Sequence, residues 1–142
     1  MVNIDSFDLK KLIIGSVTGL AMSLFIGIIL FWLTLGTVQQ YDAGVYSTGF
    51  TEFSFVVGVL IAAALFGSME NDWISAGILG FIIGLLTALL EGLVLGIFFS
   101  PMTVQFIIGW WGNHFAILIF TGVIAAVVSN MIFSKKSIPH KI

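Results

Sequence analysis

Glu91 is the residue of this sequence whose type and position best suit it to chemistry. It lies inside an unbroken apolar stretch that runs from Trp73 to Phe99. If that stretch crosses a membrane as a helix, with about 1.5 Å of rise per residue, the carboxyl lies about 12 Å from the outer end. An isolated carboxylate at such a depth costs about 2.5 to 3.5 kcal/mol on insertion scales. We therefore expect Glu91 to be protonated, paired or in contact with water.

Two interpretations of Glu91 stay open. In the first, it is a proton or cation site whose carboxyl alternates between charged and neutral forms. In the second, it is a protonated side chain that hydrogen-bonds between helices, or an anchor for a partner subunit. No lysine or arginine lies at its depth in the chain. We predict a candidate proton or ion site made of Glu91, Thr87 and Asn130, with Gln105 and His114 as further candidate partners.

Other reactive constellations are missing from the sequence. It contains no cysteine, and its five basic residues are all lysines, so we expect no disulfide, no Cys-based metal site and no basic face for nucleic acid. It shows no Ser/His/Asp arrangement, phosphate loop or paired haem histidines. The outer connections hold oxygen and nitrogen ligands whose spacing matches no metal motif, namely Asp42, Glu52, Asn113 and His114. We predict no catalytic residue, no metal, no cofactor and no enzymatic activity.

The composition indicates that lipid surrounds most of the chain. Of the 142 residues, 59% are hydrophobic and 8% are charged, and the mean hydropathy is +1.17. Soluble domains are about 25% charged. A helix needs about 20 residues to span the hydrocarbon layer of a membrane. We predict an all-α membrane protein with a single integral membrane domain over residues 1–142 and spans at about 12–37, 53–69, 73–99 and 115–133.

The connections between these spans predict a topology. Glu70, Asn71 and Asp72 leave room only for a tight turn, so the second and third spans should form an antiparallel hairpin. Residues 102–114 mix aromatic and polar side chains, which is typical of the headgroup region, and we interpret them as an interfacial connection. Every lysine lies either within the first 11 residues or within the last 8 residues of the chain. By the positive-inside rule we predict four transmembrane helices in two hairpins, with both termini cytoplasmic, in a multi-pass protein of the cell membrane.

Small residues recur every four positions in each predicted span, which places them on one helix face and lets another backbone approach. We predict glycine-zipper packing along these rows. The row that begins at Gly15 aligns with the row that begins at Gly80, which either a duplication that gave two parallel hairpins or the shared apolar, glycine-rich composition explains. The helix-packing residues are Gly15, Gly19, Ser23, Gly27, Gly58, Ala62, Gly80, Gly84, Ala88, Gly92, Gly96, Gly122 and Ala126.

The segment Ala88-Leu-Leu-Glu91-Gly-Leu-Val-Leu-Gly96 resembles part of the hairpin found in the proton-carrying ring subunits of rotary ATPases. The chain departs from that family in having two further spans and a turn without a basic residue. It is similar to the small multidrug transporters in its four spans and single membrane glutamate, but their glutamate lies in the first span. Neither resemblance transfers a residue role to this chain.

We expect a structural or assembly role in a homo- or hetero-oligomeric membrane complex, in which the small-residue rows bind partner helices and Glu91 is a polar contact. The alternative is a proton- or cation-coupled channel or transporter that uses Glu91. The expected partners are membrane lipid and either a second copy of the chain or other membrane subunits.

Overall fold

The computed structural model describes residues 8–38, 48–98 and 104–133, which form four α-helices. They are α1 (Leu9–Val38), α2 (Thr48–Ser68), α3 (Trp73–Phe98) and α4 (Val104–Phe133). Three helices contain segments long and apolar enough to cross a membrane, at Leu9–Leu33, Trp73–Glu91 and His114–Phe133, and α2 contains the shorter apolar segment Phe53–Ser68. The prediction of an all-helical chain with four helices is confirmed for the described residues.

The outer surface of the bundle is apolar, while part of its interior is polar. Phe25, Phe120 and Met131 are 66%, 66% and 70% exposed. Buried residues include hydroxyl groups, a carboxyl group and an imidazole. Water favours the opposite distribution, because it solvates polar side chains and expels large apolar patches. The distribution therefore suits a protein whose helices are surrounded by lipid.

Each helix runs antiparallel to the next one in the chain. Near the start of α1, the ammonium of Lys11 donates a hydrogen bond to the Met69 carbonyl, just after the end of α2. Near the end of α4, the Asn130 amide donates to the Glu70 carbonyl at 2.8 Å. The start of α1, the tight turn between α2 and α3, and the end of α4 therefore lie at one end of the bundle, which we call the turn end.

Helices α2 and α3 form the centre of the bundle, because each of them contacts all three other helices. Helices α1 and α4 do not contact each other within the described residues. A twofold axis relating two hairpins would convert the contact between α2 and α3 into a contact between α4 and α1. The described helices lack that second contact, so this arrangement does not have the twofold symmetry that two related hairpins would require.

The backbones of α3 and α4 approach closely at glycines. A methyl group at Gly80 would collide with the Gly122 carbonyl, and a methyl group at Gly122 would collide with the Gly80 carbonyl. A methyl group at Gly84 would likewise meet the Leu118 carbonyl. Any larger side chain at these positions would force the two helices apart, which would open contacts along their whole interface.

The small residues of α1 and α2 have two different surroundings. Gly58 lies against the Ser23 carbonyl, so α1 and α2 are also in backbone contact. By contrast, the glycines of α1 face side chains, with Gly15 against Leu79, Gly19 against Ile83 and Gly27 against Phe55. Ala62, Ala88 and Ala126 are fully buried. The surroundings of Gly92 and Gly96 lie outside the described part of the chain.

Two helices begin earlier in the chain than the spans predicted from the apolar sequence. Helix α2 begins at Thr48, and α4 begins at Val104, so the predicted connection at 102–114 is helical from Val104 onward and continuous with the fourth span. Apolar runs mark the hydrocarbon layer, whereas a helix can continue through polar and aromatic residues of moderate helix propensity beyond it. Most of the predicted loop between the first two spans, residues 39–47, lies outside the described residues.

Candidate functional site

Glu91 of α3 and His114 of α4 face each other inside the bundle. The exposed fraction is 0% for Glu91 and 2% for His114. Glu91 Oε1 lies 3.7 Å from His114 Nδ1, which is longer than an ordinary hydrogen bond but within the range of an ion pair. The antiparallel packing of the two helices produces this meeting, because it brings the start of the apolar part of α4 beside the later turns of α3.

A second polar contact lies one turn away on α3. Thr87 is fully buried, and its hydroxyl is 2.9 Å from the hydroxyl of Ser23 on α1, with either oxygen able to donate. Helix geometry places Thr87 and Glu91 on the same face, since they are four residues apart. The polar contacts on this face of α3 thus reach α1 through Thr87 and α4 through Glu91.

Ser54 brings α2 to the same level. Its neighbour Phe55 packs against Gly27, which lies one turn along α1 from the hydroxyl that contacts Thr87. Because α1 and α3 run in the same direction, Gly27 and Glu91 lie at about the same height. Ser54 is fully buried at that height. All four helices therefore contribute to one polar layer, made of Ser23, Ser54, Thr87, Glu91 and His114.

Apolar side chains surround this polar layer. A buried cluster that includes Phe31, Phe55, Val59 and Leu118 lies in the same part of the bundle. Such surroundings lower the local dielectric constant, which strengthens electrostatic interactions between buried groups and raises the cost of leaving a charge uncompensated. A change in the protonation of the pair would therefore alter the energy of the contact between α3 and α4.

Glu91 and His114 are far from the other charged side chains that the structure describes. From Asp72, at the start of α3, to Glu91 the helix rises by about 28 Å. All the charged side chains described elsewhere belong to the turn end, namely Asp8, Lys10, Lys11, Glu70 and Asp72. Among the side chains that the structure describes, the carboxyl and the imidazole thus form an ionisable pair remote from the charges of the turn end.

The structure does not bring the three predicted site residues together. Thr87 and Glu91 lie in the polar layer, but Asn130 lies at the turn end, about 24 Å along α4 from His114. There the Asn130 amide donates to the carbonyls of Gly67, at 3.0 Å, and Glu70, at 2.8 Å. The partner that faces Glu91 is His114, which the sequence offered only as one of several candidates. The side chain of Gln105 lies outside the described residues.

The contacts of Asn130 belong to a second polar cluster, which we call the turn cluster. In it, Lys11 Nζ lies 3.6 Å from Glu70 Oε2 and donates to Asn71 Oδ1 at 3.3 Å. With Asn130, these side chains fasten α1 and α4 to the turn between α2 and α3. Apart from the partly exposed ion pair, the contacts of the turn cluster join ammonium or amide donors to carbonyl oxygens, so its arrangement is that of a structural joint.

The described residues give no indication of metal binding at this site. Within the described residues, no group of three or more His, Cys, Asp or Glu side chains is placed to hold a metal ion. Comparison of the chain with protein-family models, with curated proteins and with solved structures finds no match.

Proposed function

We propose that the protein is a multi-pass protein of the cell membrane, with four transmembrane helices and both termini in the cytoplasm. The antiparallel order of the helices supports this, because it puts the start of α1 and the end of α4 at the same end of the bundle. Lys10 and Lys11 precede the first span, and Lys135 and Lys136 follow the last one. The positive-inside rule then favours the cytoplasm for both ends.

We further propose that the protein binds and releases protons within the membrane, as a proton-coupled channel or transporter. The observation that carries this proposal is the buried pair of Glu91 and His114. Ionisable residues inside membrane spans mark ion and proton pathways, and histidine ordinarily titrates near physiological pH. The geometry favours this role over an anchor for a partner subunit, because Glu91 faces the interior of its own bundle.

The pair can store one proton without net charge. That proton resides either on the carboxyl, beside a neutral imidazole, or on the imidazole, beside a carboxylate. A second proton taken from one side of the membrane gives a neutral acid beside an imidazolium, and its release to the other side restores the first state. The two states differ in the attraction between α3 and α4, so uptake is coupled to the packing of these helices.

Proton flux into liposomes tests this function. The purified protein is reconstituted with a trapped pH-sensitive dye, and a potassium diffusion potential drives proton entry. We expect flux above that of protein-free liposomes for the parent, loss of it for Glu91→Gln, and retention for Asp72→Asn, which neutralises an acid about 28 Å along α3 from Glu91. Absence of flux in the parent, or full flux in Glu91→Gln, would overturn the proposal.

A structural or assembly role is the second candidate, in a non-enzymatic protein that associates with itself or with other membrane subunits. Its support is the glycine contacts: Gly58 lets α1 and α2 pack backbone against backbone, and Gly80 with Gly122 does the same for α3 and α4, as in a glycine zipper. In this role the pair of Glu91 and His114 is only a polar contact between helices. The candidate predicts that the parent conducts no protons and that in mild detergent it has the mass of an oligomer or of a complex with other subunits.

A further inference from the structure

A groove of about 330 Å³ lies between the start of α1 and the end of α2, at the turn end of the bundle. It is separate from the polar layer and contains none of its residues. Its walls are formed by Asp8, Lys10, Lys11, Ile14, Gly15, Thr18, Phe66, Met69 and Glu70. The groove is not enclosed, so a molecule outside the bundle could enter it.

The lining of the groove changes from charged to apolar along α1. The charged residues are two lysines and two acids at the end of the groove that lies at the start of α1, and Ile14 and Phe66 line the part further into the bundle. From Asp8 to Thr18 the chain rises by about 15 Å. With the turn end at the membrane surface, the charged part lies at the headgroup level and the apolar part at the level of the first acyl carbons.

The charges of the groove are balanced. Lys10 is exposed, whereas Lys11 and Glu70 are paired with each other, and the Glu70 side chain is only 7% exposed. Among the charged groups of the groove, Lys10 and Asp8 are therefore the ones open to a ligand. The lysine suits a phosphate group, and the exposed carboxylate suits a positive group that carries N–H donors. A ligand with a phosphate, a primary ammonium group and an apolar tail meets all of these requirements.

We propose that this groove is a binding site for a phospholipid with a primary ammonium headgroup, such as phosphatidylethanolamine. The phosphate lies against Lys10, the ammonium group donates to the carboxylate of Asp8, and one acyl chain lies along Ile14 and Phe66. A choline headgroup has the same charges but cannot donate hydrogen bonds to that carboxylate. The proposal uses the membrane orientation given above, but it does not depend on proton transfer.

Native mass spectrometry of the protein with defined lipids tests the site. Phosphatidylethanolamine, phosphatidylcholine and phosphatidylglycerol with identical acyl chains are offered at equal concentrations, and the adducts that survive mild activation are counted. We expect the ethanolamine lipid to be retained in preference to the other two. Equal retention of the ethanolamine and choline lipids would overturn the proposal, and so would a preference for phosphatidylglycerol.

Two pairs of variants locate the binding. Thr18→Trp fills the groove and should abolish the preference, whereas Val17→Trp, at an exposed position outside the groove lining, should keep it. Lys10→Gln should lower retention about fivefold, as expected for one lysine near a membrane surface, and Lys135→Gln should not. If Thr18→Trp binds as the parent does, the groove is not the site. Proton flux measured on the same variants separates this result from the role of Glu91, because all four variants leave the polar layer intact.

Discussion

The two polar regions of the bundle, the polar layer and the turn cluster, are built on different principles. In the turn cluster, Asn130 and Lys11 donate hydrogen bonds to backbone carbonyls, which are acceptors at every pH. In the polar layer, Glu91 Oε1 and His114 Nδ1, both on ionisable side chains, lie 3.7 Å apart with almost no exposure to solvent. The turn cluster also contains an ion pair, Lys11 with Glu70, but its lysine is 33% exposed, and its other contacts end on carbonyl oxygens. Such contacts hold helices in place, whereas a buried pair of ionisable groups is where the proposed proton exchange would occur.

The largest expected effect is on proton flux, and it should distinguish the polar layer from the turn cluster. His114→Gln keeps a polar side chain of similar size but removes the imidazole that the proposed proton exchange requires, so we expect proton flux to fall by about a hundredfold or more. The initial rate of dye response in liposomes measures this fall. Asn130→Asp changes a polar residue of the same helix at the turn end and should leave the rate per folded protein unchanged. An unaltered rate in His114→Gln would remove the functional distinction between the two regions.

The next effect concerns stability at the turn cluster. Asn130→Leu removes the donor for the buried carbonyls of Gly67 and Glu70, so we expect the free energy of unfolding to fall by about 1 to 3 kcal/mol. Unfolding in detergent, followed by circular dichroism, measures the change. Met131→Leu is a matched control, because Met131 is the next residue and is 70% exposed. A fall in proton flux of the folded protein would contradict the assignment of Asn130 to a purely structural joint.

A smaller loss is expected when the ionic part of the same cluster is removed. Lys11→Met eliminates the contact with Glu70 and the hydrogen bonds to Met69 and Asn71. Because the lysine side chain is 33% exposed, solvent screens the ion pair, and we expect the free energy of unfolding to fall by about 1 kcal/mol. Lys10→Met is the control, since Lys10 is exposed. Equal stability of the two variants would show that the cluster depends on Asn130 alone.

The sequence predicted one member of the buried pair, Glu91, but not where the other member, His114, would lie. Glu91 was evident because a single acid in an apolar stretch has a high solvation cost. His114 stands among aromatic and polar residues that are typical of a headgroup region, so its meeting with Glu91 depends on where α4 begins and how it rotates against α3. Asn130 follows the four-residue spacing of its helix. That spacing predicts which face of the helix the residue lies on, but not how far along the bundle its partners lie. Helix number and the tight turn are local properties, whereas partners across helices depend on the register of packing.

The smallest expected effect concerns Asp72, which caps the start of α3 at the turn end. Its contribution to the stability of the fold depends on pH. Asp72 accepts hydrogen bonds from the backbone N–H groups of Ile74, at 2.9 Å, and Ser75, at 2.8 Å. The hydrogen bond from the Ser75 backbone is the main cause that lowers the pKa of Asp72 below its ordinary value. A lowered pKa means that the charged carboxylate stabilises the folded state above the ordinary value, and that this stabilisation disappears as the pH falls through the lowered pKa.

We therefore expect Asp72→Ala to lower the free energy of unfolding by about 1 kcal/mol at neutral pH, the usual loss for a helix cap. The difference from the parent should shrink below about pH 4, where the aspartate of the unfolded chain also takes up a proton. Detergent unfolding of both proteins between neutral and acidic pH measures it. Asp72→Asn keeps an acceptor oxygen for the same N–H groups and should show a smaller, pH-independent loss. A difference between Asp72→Ala and the parent that persisted undiminished at acidic pH would mean that the side chain stabilises the turn by its shape rather than by its charge.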